Sequence, residues 1–202
     1  MNIPFPDKKY NIIYADPPWH FNFKNRKDLS EDAKSRLYET MKSEDIVNLD
    51  VNKIAADDCI LFLWVMNSEL PLALKCIESW GFTYKTVAFF WLKTRTSKYH
   101  FGGGNWTRSN PEQCLLATKG DIKRISAGVK NTLIAGEDQC GDEHLLIDKL
   151  GVHSKKPIIV RDRIVKLVGD LPRIELFARE SAAGWDVWGD PAPENLEDKE
   201  TI

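Results

Sequence analysis

The sequence predicts an α/β protein: a mostly parallel central sheet with helices on both faces. Three observations support this. Short runs rich in β-branched and aromatic residues alternate along the chain with stretches of helical character. Some of these runs are apolar at every position, as strands covered on both faces tend to be. The chain has 202 residues, 43% apolar and 29% charged, enough for one compact core and unlike a fibrous or disordered composition.

The elements follow in order. Tyr10 to Ala15 is a β-rich run stopped by Pro17 and Pro18, neither of which can donate to a ladder. Phe21 to Glu39 is polar without a period and reads as a long loop. Ser43 suits a helix N-cap, with Glu44 and Asp45 favoured by the dipole, and that helix is expected to reach Ile54 or Ala55. Cys59 to Val65 is a fully apolar strand. Ser68 is expected to cap a helix through Trp80 that Gly81 ends. Thr83 to Leu92 is a strand, Lys93 to Asn110 a basic loop, and Glu112 to Thr118 a strand before the Lys119–Gly120 turn. Thr132 to Ala135 reads as a short strand and Asp142 to Leu150 as a helix. Pro157 fits the first turn of a helix ended by Gly169. Arg173 to Arg179 and Trp185 to Trp188 are the last strands. One domain over residues 1–190 is expected, followed by an acidic tail over 191–202. In such a sheet, ligands bind at strand C-termini.

Several classes are excluded or disfavoured. No apolar stretch approaches the ~20 residues of a membrane span. Met1 to Lys9 lacks the apolar core of a secretory signal. Cys59, Cys76, Cys114 and Cys140 lie far apart, without zinc-ligand spacing. Reduced thiols in a cytoplasmic protein, with no metal site, are the expectation. No Gly-x-Gly-x-x-Gly follows a strand, which argues against a nicotinamide-type phosphate cradle. The net charge is −2, but between Lys85 and Lys130 nine Lys/Arg face two acids, Glu112 and Asp121. That stretch fits a polyanion, and equally a solvated face.

Asp16-Pro17-Pro18-Trp19 is the strongest local feature. At a strand tip the prolines stiffen the turn. The Asp16 carboxylate and the Pro17 carbonyl are both acceptors, suited to the two N–H bonds of an exocyclic amine. Trp19 offers a planar face for a heterocycle such as adenine. Read alone, the same four residues also fit a strand-ending turn beside a core tryptophan.

Here the sequence resembles the DPPW-type adenine methyltransferases, a family with RNA-modifying and DNA-modifying members. The likeness runs in order through Tyr14-Ala15-Asp16-Pro17-Pro18-Trp19, Tyr38-Glu39-Thr40-Met41, Leu61-Phe62-Leu63-Trp64-Val65 and Trp80-Gly81-Phe82. It continues in Trp91-Leu92-Lys93-Thr94, Glu112-Gln113-Cys114-Leu115, Lys119-Gly120 and His153-Ser154-Lys155-Lys156-Pro157. It ends in Glu175-Leu176-Phe177-Ala178-Arg179 and Gly184-Trp185-Asp186-Val187-Trp188-Gly189.

The resemblance implies a Rossmann-like methyltransferase that uses S-adenosylmethionine. It implies that Asp16 and the Pro17 carbonyl receive the adenine 6-amino group, that Pro18 completes the motif and that Trp19 flanks the base. Asp16 would also lie beside the methionine end of the cofactor. Lys156, after His153 and Ser154, would meet the cofactor carboxylate; Phe177 would lie near the adenosine and Arg179 near the ribose. Asp190 stands where the family commonly has asparagine for the ribose hydroxyls, and it can accept but not donate. The segment Gly141 to Gly151 looks inserted, and no counterpart is expected here for the upstream stretch that touches the cofactor adenine in longer relatives.

The expected reaction is methyl transfer to the 6-amino group of adenine in DNA, the base flipped out of its stack. Lys93, Arg95, Lys98 and Arg108 would contact phosphates, with Tyr99, Phe101 and Trp106 available for stacking. The alternatives are the same reaction on RNA and a non-catalytic nucleic-acid-binding member of the fold.

Overall fold

The computed structural model describes residues 3–19, 41–95, 98–99, 106–135, 156–178 and 180–189. Among them, one sheet holds β1 (Tyr10–Ala15), β2 (Ala55–Val65), β3 (Thr83–Arg95), β4 (Lys98–Tyr99), β5 (Glu112–Lys119), β6 (Thr132–Ala135), β7 (Arg173–Leu176) and β8 (Asp186–Trp188). Across the sheet the order is β6, β3, β5, β2, β1, β7, β8, with β4 hairpinned onto the end of β3. β1, β2, β3, β6, β7 and β8 run in one direction, and β5 runs against both of its neighbours. The mostly parallel sheet is as expected.

The two-residue period of the central strands divides the core. From β1 and β2, Ile13, Ala15, Leu61, Leu63 and Val65 enter one apolar cluster. Ile12, Tyr14, Ile60, Phe62 and Trp64 enter the other. The first cluster is covered by α1 (Ser43–Val47) and α2 (Leu70–Ser79), through Ile46, Ala73, Cys76 and Ile77. The second is covered by α3 (Ile159–Val168), through Val160, Ile164 and Val168. The neighbours of β1, β2 and β7, thus come from crossovers on opposite faces. β1 is therefore a switch point, and its C-terminal end opens onto the crevice where α/β proteins bind ligands.

Several boundaries differ from the sequence reading. α1 is one short helix, and a separate 3-10 turn at Val51–Lys53 replaces its predicted second half. The intervening Asn48 and Asp50 favour turns over helix, while Val51 and Ile54 are buried in the core. β2 starts at Ala55, not Cys59, because Ala55 pairs with Tyr10 and draws exposed Asp57 and Asp58 into the strand. Ser68 lies in a 3-10 turn, Asn67–Glu69, and makes no cap; α2 begins beyond it with Pro71 in its first turn. Pro157 precedes α3 and accepts the Val160 N–H through its carbonyl. β3 runs on to Arg95, three residues into the expected loop.

The β5 turn shows how tightly the far end of the sheet is packed. Gly120 has φ +66°, and a Cβ there would come within 2.3 Å of both Asp57 O and Asp58 Oδ1. Asp58 Oδ1 accepts the Asp121 N–H at 2.7 Å, so this approach to the strand edge admits only glycine. Near β8, the indole N–H of Trp188 donates to Ile3 O at 3.2 Å, and Phe5 packs on the Trp188 ring at 4.7 Å.

Cys59, Cys76 and Cys114 are buried free thiols, and burial pushes Cys59 and Cys76 each up to about 12. The predicted loop 21–39, the helix 142–150, Cys140 and the tail lie outside the described residues. Among the described residues no helix is long and apolar enough to cross a membrane.

Candidate active site

Leu63, Ala15, Leu176 and Trp188 pair side by side across β2, β1, β7 and β8. The residues just past that row, Asp16, Phe177 and Gly189, leave the sheet at one level. Asp16 is half-buried. The turn after it is tight: Pro17 O accepts the Trp19 backbone N–H at 2.8 Å. A carbonyl has two lone pairs, so Pro17 O keeps one acceptor position. Pro18 O accepts the Met41 N–H at 3.1 Å, which ties the turn to the approach of α1.

Trp19 differs from its expected role. It is 4% exposed and packs in the core, and its Nε1–H donates to Trp64 O at 2.9 Å. An indole gains most when its rings are buried and its N–H is satisfied. Trp19 thus anchors the Asp16 turn to the end of β2 and presents no open stacking face. The Trp64 indole in turn donates to the Tyr14 hydroxyl at 2.7 Å.

A row of four alternating charges runs from the tip of β1 to the end of β3. Lys156 Nζ donates to Asp16 Oδ2 at 2.7 Å and lies 3.4 Å from Glu112 Oε2. Lys93 Nζ donates to the other Glu112 oxygen, Oε1. The Lys156 ammonium also stands 5.5 Å from the Trp64 ring centroid. Burial alone would push Lys156 down, but Asp16 and Glu112 together outweigh it and hold the ammonium above its ordinary range. Burial opposes ionisation of Glu112 as well, yet Lys156 and Lys93 hold its carboxyl below the usual range.

A second ion pair sits beside this row. Glu175 lies opposite Tyr14 in the β1–β7 register, and Arg161 of α3 donates Nε–H to Glu175 Oε2 at 2.6 Å. Arg161 Nη1 also reaches Glu180 at 3.3 Å. Burial, with Asp16 and Glu180 nearby, holds the Glu175 carboxyl above its usual range although Arg161 pulls the other way.

Phe177 ends β7 early. The sequence reading carried this strand to Arg179, but Phe177 has φ 62°, a left-handed conformation rarely taken by a bulky residue. Its ring packs edge-on against Trp188 at 5.4 Å. Gly189 permits this bend, since a Cβ there would lie 2.5 Å from Ala178 O and 2.9 Å from Ala178 N. Strained backbone of this kind persists where surrounding structure enforces it, commonly at functional sites.

The residues expected to meet nucleic acid fare differently from one another. Trp106 is 100% exposed, and Arg108 is exposed too. Arg95 and Lys98 are register partners in the β3–β4 hairpin. Lys93 is not a free phosphate contact: the register of β3 against β5 sets its ammonium on Glu112 and 4.7 Å above the Trp91 ring. His153, Ser154, Arg179 and Asp190 lie outside the described residues, as does Phe101. Sequence reasoning assigned no role to Glu112, Trp64, Tyr14 or Arg161. Glu112 carried two signals, an acid at the head of a strand within a basic stretch and its place in the family-like segment Glu112-Gln113-Cys114-Leu115.

The arrangement sets the Asp16 carboxylate, followed directly in the chain by the Pro17 carbonyl, next to an ammonium. Side by side, Lys156 and Asp16 also complement an amino-acid zwitterion, one charge for each of its ends. Among the described residues no group of His, Cys, Asp and Glu is arranged to hold a metal ion.

Comparison with known proteins decides the class. The MT-A70 family profile matches residues 10–191. The chain belongs to the MT-A70 family. Over 204 residues it is 38% identical to the type II methyltransferase M.MunI of a Mycoplasma species, covering 94% of this chain and 81% of that protein. It is 25% identical over 178 residues to the human N(6)-adenosine-methyltransferase catalytic subunit METTL3, covering 85% of this chain and 26% of METTL3. It is 30% identical over 159 residues to the Drosophila melanogaster non-catalytic subunit METTL14, covering 70% of this chain and 36% of METTL14. The chain therefore spans most of the Mycoplasma protein but only about a quarter to a third of the two animal ones. As an MT-A70 protein it is a methyltransferase, and the Asp16 crevice lies within the matched region.

Proposed function

We propose that this MT-A70 protein transfers a methyl group from S-adenosylmethionine to the 6-amino group of adenine in DNA. The observation that carries the reading is the Asp16 turn: a carboxylate and a carbonyl with a spare lone pair, fixed together at the tip of the switch-point strand. The preference for DNA is supported by the likeness to a type II methyltransferase over most of both chains. The likeness to N(6)-adenosine-methyltransferases supports the choice of an adenine amine and keeps RNA as the competing substrate.

The cofactor, when bound, supplies a methyl group on a sulfonium. Lys156 has the right type for its carboxylate and Asp16 for its ammonium, so the donor set fits its methionine end. Phe177 would border the adenosine, with His153, Ser154, Arg179 and Asp190 as further contacts implied by the family pattern.

The chain's own residues then act on the amine. An adenine amine is a poor nucleophile because its lone pair is delocalised into the ring. Asp16 and Pro17 O accept its two N–H bonds and favour pyramidal nitrogen. As the new N–C bond forms and the methyl–sulfur bond breaks to leave a neutral thioether, positive charge grows on nitrogen before the Asp16 carboxylate, which stabilises it and accepts the proton that the methylated amine releases. The proton becomes acidic only at that stage, so Asp16 need not be a strong base. Holding the amine in line with the methyl accounts for roughly 7–11 kcal/mol of barrier lowering in well-oriented systems. Trp106 stacks on a displaced base and Arg108 meets phosphate.

The test is transfer of labelled methyl to matched DNA and RNA oligonucleotides, followed by nucleoside mass spectrometry. N6-methyladenine in the DNA arm is expected. Label confined to RNA overturns the substrate, and no label in either arm overturns the enzymatic reading in favour of a non-catalytic binding protein.

A further inference from the structure

A requirement of the proposed chemistry conflicts with the geometry of the crevice. Asp16 must turn its acceptors to an amine, yet one of its oxygens holds Lys156 at 2.7 Å. Lys156 is only 10% exposed, so it cannot simply turn to water. A buried ammonium that loses its partner needs another. Among the described residues Glu112 is the one at hand, 3.4 Å away, about half an ångström beyond a full charge-assisted hydrogen bond, and its hold adds to that of the cofactor carboxylate proposed for Lys156.

Glu112 is held in that position from behind. Lys93 bonds its other oxygen. Lys93 is in turn fixed at its backbone, because the Asn110 side chain accepts the Lys93 N–H at 2.8 Å and donates to the Lys93 carbonyl at 2.9 Å. The Lys93 ammonium also rests over the Trp91 ring at 4.7 Å, a contact that favours a cation. The end of β3 therefore works as a bracket for a carboxylate on β5.

We propose that Lys93 is a positioning residue: by fixing Glu112 it gives Lys156 a second anchor, so that Asp16 is released to the substrate amine while Lys156 stays paired. This rests on the reading of Asp16 as the amine acceptor. It assigns Lys93 a role opposite to that of a phosphate-binding lysine, since its charge is spent inside the site. The consequence is kinetic. Without the bracket Glu112 swings away, Lys156 keeps its hold on Asp16, and fewer bound complexes react.

The experiment uses the full chain with Lys93→Met, Lys93→Arg and Glu112→Gln, measuring kcat, KM, oligonucleotide affinity and its salt dependence. For Lys93→Met a fall in kcat of about tenfold or more is expected, with affinity and salt slope unchanged, because a lost phosphate contact would instead weaken binding and flatten the slope by about one unit. Lys93→Arg restores much of kcat, since a guanidinium also pairs with a carboxylate. Glu112→Gln lowers kcat like Lys93→Met, and combining the two adds little. Unchanged kcat with weaker, less salt-dependent binding in Lys93→Met overturns the proposal; so does full additivity of the two losses. Should Lys93→Met fold poorly, Glu112→Gln with Lys93→Arg carries the same decision.

A substrate-free readout separates this from the functional reading. In denaturant unfolding the Lys93–Glu112 pair should show a double-mutant coupling of more than about twofold in the unfolding constant. If the wild-type chain methylates neither nucleic acid, the functional reading falls. If the coupling is absent, the bracket falls whatever the activity.

Discussion

Replacing Asp16 with asparagine keeps the shape of the turn and removes one charge. Lys156 then loses its nearer carboxylate and retains Glu112 at 3.4 Å. Stripping one partner from a fully buried pair costs roughly 3–5 kcal/mol. Here Asp16 is 21% exposed and a second anion stays in reach, so about 1–2 kcal/mol is expected, which lowers Tm by roughly 2–8 °C in a chain of this size. The effect on turnover is larger. The asparagine amide offers one acceptor oxygen, and its NH2 opposes either Lys156 or the incoming amine. Removing one group aimed at transition-state charge costs about 10²–10³ in kcat. The assay is single-turnover transfer of labelled methyl to an adenine-containing oligonucleotide, with calorimetric cofactor binding and a thermal melt on the same preparation. Cofactor affinity should fall only modestly. A variant that keeps more than about a tenth of the wild-type rate, less than the loss expected of such a group, refutes the role of Asp16. An unchanged Tm refutes the claim that Lys156 depends on it.

Further outcomes follow from the same geometry. Trp106→Ala should leave Tm unchanged, because the ring is fully exposed; oligonucleotide affinity should drop by about 1–3 kcal/mol if one base stacks there, and equal affinity by fluorescence anisotropy discards that contact. Glu112 has its folded pKa held below the ordinary 4.5, so its stabilisation is complete above that value and is lost as pH falls below it. Glu112→Gln should therefore flatten the acid limb of Tm against pH, whereas Glu175, held above its usual range by burial, acts in the opposite sense; an identical acid limb in wild type and variant contradicts the assignment. Gly189→Ala drives a Cβ into the Ala178 backbone and should cost about 1–3 kcal/mol, typical of overpacking, with weaker cofactor binding by calorimetry; a wild-type melt would show that the bend at Phe177 tolerates a side chain.

Much of this fold is encoded locally. The β-rich run Tyr10–Ala15 and the unbroken apolar run from Cys59 to Val65 report central strands because both faces of such strands are covered. The Asp16 turn was legible for the same reason, two prolines directly after a buried strand. What escaped the sequence is set by register and tertiary contact. Nothing within either segment says that Lys93 stands beside Glu112; that follows from pairing Trp91 with Glu112 across β3 and β5. A basic stretch therefore looked like a phosphate-binding surface at a position whose charge is internally neutralised. Trp19 looked open because it follows the Asp16 turn at a strand tip, whereas the carbonyl that satisfies its indole belongs to Trp64, 45 residues later. α1 was read too long because Val51 and Ile54 continue an apolar spacing, although they reach the core from a 3-10 turn.

The reversed direction of β5 has a consequence for how such enzymes diversify. In an all-parallel sheet each strand would enter from the far side, and a connection between neighbours would have to cross the whole molecule. Because β5 runs backwards, the chain between Lys93 and Glu112 both departs from and returns to the same mouth. Its length and composition can change at small entropic cost, as loop closure grows only slowly with length, while its two feet stay fixed in the ladder. On the functional reading proposed above, changes between Tyr99 and Trp106 alter target contacts without touching Asp16, Lys93, Asn110 or Glu112.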